Sequence, residues 1–132
     1  MNKHETNLNG KTILLVDDDD RNIFALSAAL RSNGPTILTA TDGIECLKKL
    51  KLHKEVDLVL LDMMMPKMDG YQTLKEIRND RDLKNIPVIA LTAQAMKGDQ
   101  KKCLDAGANE YCSKPVDIDS LINKINSLVT LR

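Results

Sequence analysis

The side chains that could do chemistry lie in four short stretches: Asp17-Asp18-Asp19-Asp20, Asp62, Thr92 and Lys114-Pro115. Each follows a short apolar segment: TILLV, LVLL, VIAL and the stretch around Tyr111. Carboxylates, a hydroxyl and an ammonium make poor packing material, because charges are seldom placed against a core without partners. Brought together they suit another purpose. Two carboxylates about 4 Å apart repel by roughly 4 kcal/mol at an effective dielectric of 20, so an acidic cluster takes up protons or recruits a cation. Magnesium prefers oxygen ligands and is held by one or two carboxylates plus phosphate oxygens, which matches Asp18 and Asp62. The loop pattern of a calcium EF-hand is absent. An aspartate beside such a metal can attack phosphorus and form an aspartyl phosphate. Thr92 and Lys114 then gain roles, a hydroxyl and an ammonium each taking one phosphoryl oxygen.

Taken singly, each stretch has a plainer explanation. Four aspartates after a strand can be a loop and a helix N-cap, and Thr92 can be a cap. Lys114-Pro115 can be a loop that stops a strand, and Met63-Met64-Met65 can be core filler. Their joint placement at four strand ends favours chemistry.

The elements that position these groups follow from hydrophobic period. Apolar runs at Thr12–Val16, Thr36–Ala40, Val56–Leu61, Val88–Leu91 and around Tyr111 predict five strands. The third is almost continuously apolar, as in a central parallel strand covered on both faces. Between them, Arg21–Ser32, Gly43–Leu52, Gly70–Arg78 and Lys97–Ala106 carry apolar residues at helical spacing, with Gly34 and Gly107 placed to end helices. Ile118, Leu121, Ile122, Ile125, Leu128 and Val129 predict a closing helix, capped by Asp117 or Asp119, with Lys124 meeting the carboxyl half of its dipole. Strands alternating with helices predict an α/β doubly wound sheet, with the site beyond the carboxyl ends of the strands where strand order reverses. A five-stranded parallel sheet of order 2-1-3-4-5, flavodoxin-like with helices on both faces, is the common form of that length. The strand order is taken over from that form; the residues themselves do not dictate it. Residues 1–9 read as a flexible N-terminal lead and 10–132 as one domain.

Composition narrows the function classes. The chain has 132 residues, 42% hydrophobic and 29% charged, which fits one globular domain. Lys plus Arg balances Asp plus Glu at 19 each, leaving no positive excess for direct nucleic acid binding. No apolar run nears the ~20 residues of a membrane span, and MNKHETNLNG lacks the apolar centre of a signal peptide. The expected location is cytoplasmic. Cys46, Cys103 and Cys112 are odd in number and form no C-x-x-C, so they read as buried thiols. His4 and His53 stand alone without metal-type neighbours.

The segments ILLVDDD, LVLLDMMMPKMDGYQTLKEIR, IPVIALTA and AGANEYCSKPVD resemble the receiver domains of response regulators and hybrid histidine kinases. The likeness covers essentially all of 10–132 and looks strongest to the receiver of a hybrid sensor kinase. No ATP-binding or phosphodonor-histidine segment is present, which leaves an excised domain and a free-standing regulator both open. The resemblance implies Asp62 as phosphoacceptor and Asp17 and Asp18 as the acidic pair holding Mg2+, with the Met64 carbonyl completing the protein ligands. It implies Thr92 and Lys114 as phosphoryl contacts, Thr92 and Tyr111 as switch residues, and a cis Lys114-Pro115 peptide. Met64 and Gln94 occupy positions that influence phosphoryl lifetime in the family. The implied partner is a histidine kinase or histidine phosphotransfer protein, which donates a phosphoryl group in a two-component phosphorelay. Asp19 and Asp20 are expected to cap and face solvent, and Pro66 and Gly70 to shape the turn after the third strand.

Three other readings compete. A haloacid-dehalogenase-like phosphatase would use Asp17 as nucleophile and Asp19 as acid or base, but Asp20 and Arg21 stand where a small residue and Thr should follow. A flavodoxin-like cofactor domain would need a phosphate-cradling first loop, and four aspartates would repel that phosphate. A receiver-fold scaffold that does not use phosphorylation would have little reason to retain every chemical residue.

Overall fold

The computed structural model describes residues 8–65, 68–93 and 97–130. Along them run β1 (Thr12–Val16), α1 (Asp20–Arg31), β2 (Thr36–Ala40), α2 (Gly43–Leu52), β3 (Leu58–Asp62), α3 (Gly70–Asn79), β4 (Val88–Thr92), α4 (Lys97–Asp105), β5 (Glu110–Ser113) and α5 (Ile118–Thr130). The strands pair in parallel in the order β2-β1-β3-β4-β5. This is the doubly wound, flavodoxin-like sheet that the alternating pattern predicts. After β2 the chain returns to the other side of β1, so the carboxyl ends of β1 and β3 flank the point where strand order reverses.

Alternation along the strands builds two apolar layers, because successive side chains point to opposite faces. Leu14, Val16, Val59, Leu61, Val88 and Ala90 pack with Cys46 and Leu50 of α2, Leu74 and Ile77 of α3 and Cys103 of α4. Ile13, Leu15, Leu58, Leu60, Ile89 and Leu91 pack with Leu30 of α1 and Leu121, Ile122, Ile125 and Val129 of α5. Every residue of β1, β3 and β4 is buried, which explains their continuous apolar runs. Burying a side chain of this size contributes about 1.5–3 kcal/mol, so α5 is anchored by several such terms. Among the described side chains of α4, Cys103 alone is buried.

Helix starts follow their capping residues. Asp19 accepts from the Arg21 N–H, Asp42 from Glu45 and Asp69 from Gln72, each at 2.8 or 2.9 Å. Asp20 lies exposed in the first turn of α1, so Asp19 and Asp20 take the capping and solvent roles expected of them. Gly70 begins α3 against the end of β3, where a Cβ would sit 2.4 Å from Met63 Cα. Only glycine fits there.

Some local expectations shift. β3 begins at Leu58, not at Val56, because the Val56 N–H closes a turn onto the His53 carbonyl and the Asp57 carboxylate is turned to the Thr12 N–H. Leu8, assigned by sequence to the N-terminal lead, is fully buried and donates its N–H to Asn33 O at 3.0 Å. Asp117 meets α5 through its carbonyl, which accepts from the Leu121 N–H. Lys124 does not lie along its own helix toward the carboxyl end; its ammonium donates to the Tyr111 carbonyl at 2.7 Å. His4, Pro66 and Gln94 lie outside the described residues. His53 caps the end of α2, and Cys46, Cys103 and Cys112 are free, buried thiols.

Candidate functional site

Asp62 is the last residue of β3 and pairs in register with Leu91, while Thr92 ends β4 opposite Ser113. The strands therefore carry their polar residues to a common edge. Asp17, directly after β1, and Asp62 are each only 2% exposed, and Thr92 only 4%. Asp18 next to them is exposed. One carboxylate oxygen from each of Asp17, Asp18 and Asp62 lies within 4.8 Å of the others.

Lys114, following β5, reaches into this cluster. Its ammonium stands 3.4 Å from Asp17 Oδ2 and 3.4 Å from Asp62 Oδ1, and its backbone N–H donates to the Thr92 carbonyl at 2.8 Å. The Lys114-Pro115 peptide is cis. Charge-assisted N–H···O bonds are typically about 2.7–2.9 Å, so the ammonium is shared between two carboxylates and tightly bound to neither. The rest of the support comes from backbone. The Asp19 N–H donates to Asp17 Oδ1 at 2.9 Å, and the Met64 N–H donates to Asp62 Oδ1 at 3.0 Å. Met64 is 61% exposed at the rim, whereas Met63 and Met65 are buried, so two of the three methionines are core filler.

Burial pushes the Asp62 carboxyl above the ordinary carboxylate range, and the Asp17 charge adds to that; the Met64 N–H and Lys114 pull the other way. Three carboxylates face one ammonium, so the site has an unmet demand for positive charge. The donors are all hard oxygens. A cluster of carboxylate oxygens this close is a donor set that a hard divalent cation could take.

The match to the response regulator receiver domain model spans residues 13–126. The chain belongs to that family. This receiver is 32% identical over 117 residues to the polar-differentiation response regulator DivK of Brucella anthropi, an alignment covering 89% of this chain and 94% of that one. It superposes with a TM-score of 0.84 at 36% identity on the receiver domain of a Pseudomonas aeruginosa sensor histidine kinase, covering 92% and 98% of the two chains; that structure has magnesium coordinated in its active-site cleft. Against the Vibrio cholerae chemotaxis protein CheY4 the TM-score is 0.82 at 26% identity, over 89% of this chain and 98% of the other. The protein is thus a receiver domain of two-component signalling.

Two features beside the site are not marked by any motif in the sequence. A groove of about 340 Å³ adjoins the acidic cluster, bounded by Ala25, Leu26 and Ala29 of α1 and by Pro115, Val116 and Ile118, with Asp17 and Lys114 also on its wall. Small residues of α1 create it, and their spacing could have suggested it. The other is the hold of Lys124 on Tyr111. In the described residues no helix is long and apolar enough to cross a membrane.

Proposed function

We propose that Asp62 accepts a phosphoryl group from a phosphohistidine on a histidine kinase or histidine phosphotransfer protein, in a cytoplasmic phosphorelay, and that the receiver changes conformation in response. The observation that carries this reading is the nearly buried Asp62 carboxylate, held by Met64 N–H and shared Lys114, with two further carboxylates beside it. Asp17, Asp18, Asp62 and the Met64 carbonyl would hold Mg2+, which supplies neutralising charge to the transferring group when bound.

The chain's own residues do the rest. Met64 N–H and Lys114 both act on Asp62 Oδ1, which leaves Oδ2 to attack phosphorus as the phosphorus–nitrogen bond of the donor breaks. Lys114 is then placed to turn from the carboxylates to a phosphoryl oxygen, and the Thr92 hydroxyl to take another. Movement of Thr92 reaches Tyr111 along the same sheet face, since Tyr111 is in register with Ala90, two residues before Thr92. The affected surface comprises α4, β5 and α5, and among the described side chains of α4 only Cys103 is buried. Driving such a switch from 1:99 to 99:1 takes about 5.5 kcal/mol of preference, within reach of several charged contacts.

Incubation with magnesium and acetyl phosphate, reductive trapping of the acyl phosphate and mass-spectrometric mapping test the assignment. Modification at Asp62 that disappears without magnesium supports it. Modification at Asp17 supports the phosphatase reading instead. Against that alternative, both Asp17 oxygens are already engaged, by Asp19 N–H and Lys114, and Asp19 is occupied capping α1 beside Arg21.

A further inference from the structure

Lys124 lies in the middle of α5, on the sheet face opposite to the one that Tyr111 packs against. Its side chain crosses the edge of the sheet to reach Tyr111 twice. The ammonium donates to the Tyr111 carbonyl at 2.7 Å and stands 5.2 Å from the centre of the Tyr111 ring. A carbonyl oxygen fixes the ammonium in place, and an ammonium within about 6 Å of a ring face is attracted to it. The carbonyl belongs to the backbone and the ring does not, so the two contacts respond differently to a side-chain rotation. The hydrogen bond survives it and the ring contact is lost.

The strand register sets which residues share a face with the ring. Tyr111 is opposite Ala90 in register, and Ala90 and Thr92 share its face by strand alternation. Ala90 is buried in the layer that Tyr111 packs against, and its methyl is the least side-chain bulk that could stand opposite the ring on the way to Thr92.

We propose that Lys124 is a positioning residue for Tyr111: it holds the ring at the sheet edge and so sets the population from which the switch starts. The inference rests on the reading of Tyr111 as a switch residue. Cation–π attraction between partly buried groups corresponds to about threefold to tenfold in an equilibrium, which is the size of bias expected. Loss of the charge at position 124, by substitution or by acylation of the amine, then favours the rotated ring without any change at Asp62.

The chain has two tyrosines, Tyr71 and Tyr111, so carbon-13-labelled tyrosine gives two ring signals, assigned with Tyr71→Phe. These are followed while the magnesium-loaded full chain is titrated with beryllofluoride, a phosphoryl mimic. In Lys124→Met the Tyr111 signal of the unloaded protein should move toward its loaded position, and the midpoint should fall about threefold to tenfold. Lys124→Arg, which keeps the charge, should restore both. Unchanged Tyr111 signals in Lys124→Met, with only a lowered urea midpoint, would show a merely structural lysine and overturn the inference. If the unsubstituted protein binds beryllofluoride and its Tyr111 signal stays still, the switch reading itself fails, and that outcome is separate from a Lys124 effect.

Discussion

The two ends of the sheet are built on opposite principles. At the amino-terminal end, polar side chains close off the backbone. Arg78 donates to the carbonyls of Gly107, Lys84 and Ile86 and to Asn109 Oδ1 at 2.7–3.0 Å. Asn109 Oδ1 also accepts from the Val88 N–H, and Asp57 accepts from the Thr12 N–H. The Gly107 backbone has φ +116, and a Cβ there would lie 2.9 Å from Arg78 Cγ, so that corner is shaped around the guanidinium. At the carboxyl-terminal end, carboxylates are buried beside one another with a single ammonium divided between two of them. One end spends its charge on backbone donors and acceptors and stays closed; the other leaves negative charge unmatched. Stability and function are therefore separated along the strands.

Exchanging the two kinds of damage tests that separation. Asp62→Asn should abolish acyl phosphate formation entirely in the trapping assay while the circular dichroism spectrum stays native; labelling that persists at another residue would break the functional half of the contrast. Arg78→Ala should lower the unfolding free energy by about 2 kcal/mol, since three main-chain carbonyls, two of them in part-buried contacts, lose a charged donor together. Its labelling per folded molecule should not change. Urea titrations and labelling on one preparation read both effects.

Magnesium should raise the stability of the intact receiver by about 1.4 kcal/mol at tenfold excess over its dissociation constant, an increment that Asp17→Asn should remove and Arg78→Ala should keep. The pH dependence follows from Asp62. Its carboxyl is raised in the folded state, so the folded protein binds the proton more tightly than the unfolded chain. Without metal, this group's contribution to stability is lost as pH rises from its ordinary value of 3.8 through its raised folded value. Asp62→Asn should therefore resist urea better than the unsubstituted protein at pH 7, by about 1 kcal/mol, with the gap closing in acid. The smallest effect expected is that of Asp57→Ala, about 1 kcal/mol or less from one lost acceptor at the start of β1.

Much of this was legible in the chain. TILLV and TILTA became β1 and β2 with their expected limits, because turn residues bound both runs and their apolar content leaves no competing period. The acidic cluster was readable because aspartates, a threonine and a lysine at strand ends have no ordinary packing role. The start of β3 was not, since Val56 is apolar and buried yet belongs to a turn; burial and strand pairing are different constraints. Arg78 and Lys124 were invisible for a common reason. Their acceptors are largely main-chain carbonyls, every residue has one, and no spacing in a sequence records which carbonyl a long cation will find.

The three thiols give the receiver an internal gauge of opening. Cys46 and Cys103 are sealed in one apolar layer and Cys112 in the other, and burial pushes the Cys46 thiol up to about 12. A thiol so placed is almost inert until its surroundings part. The slowing of alkylation at each sulfur thus reports the fraction of time that the packing over it stands open, with α2, α4 and β5 each read separately.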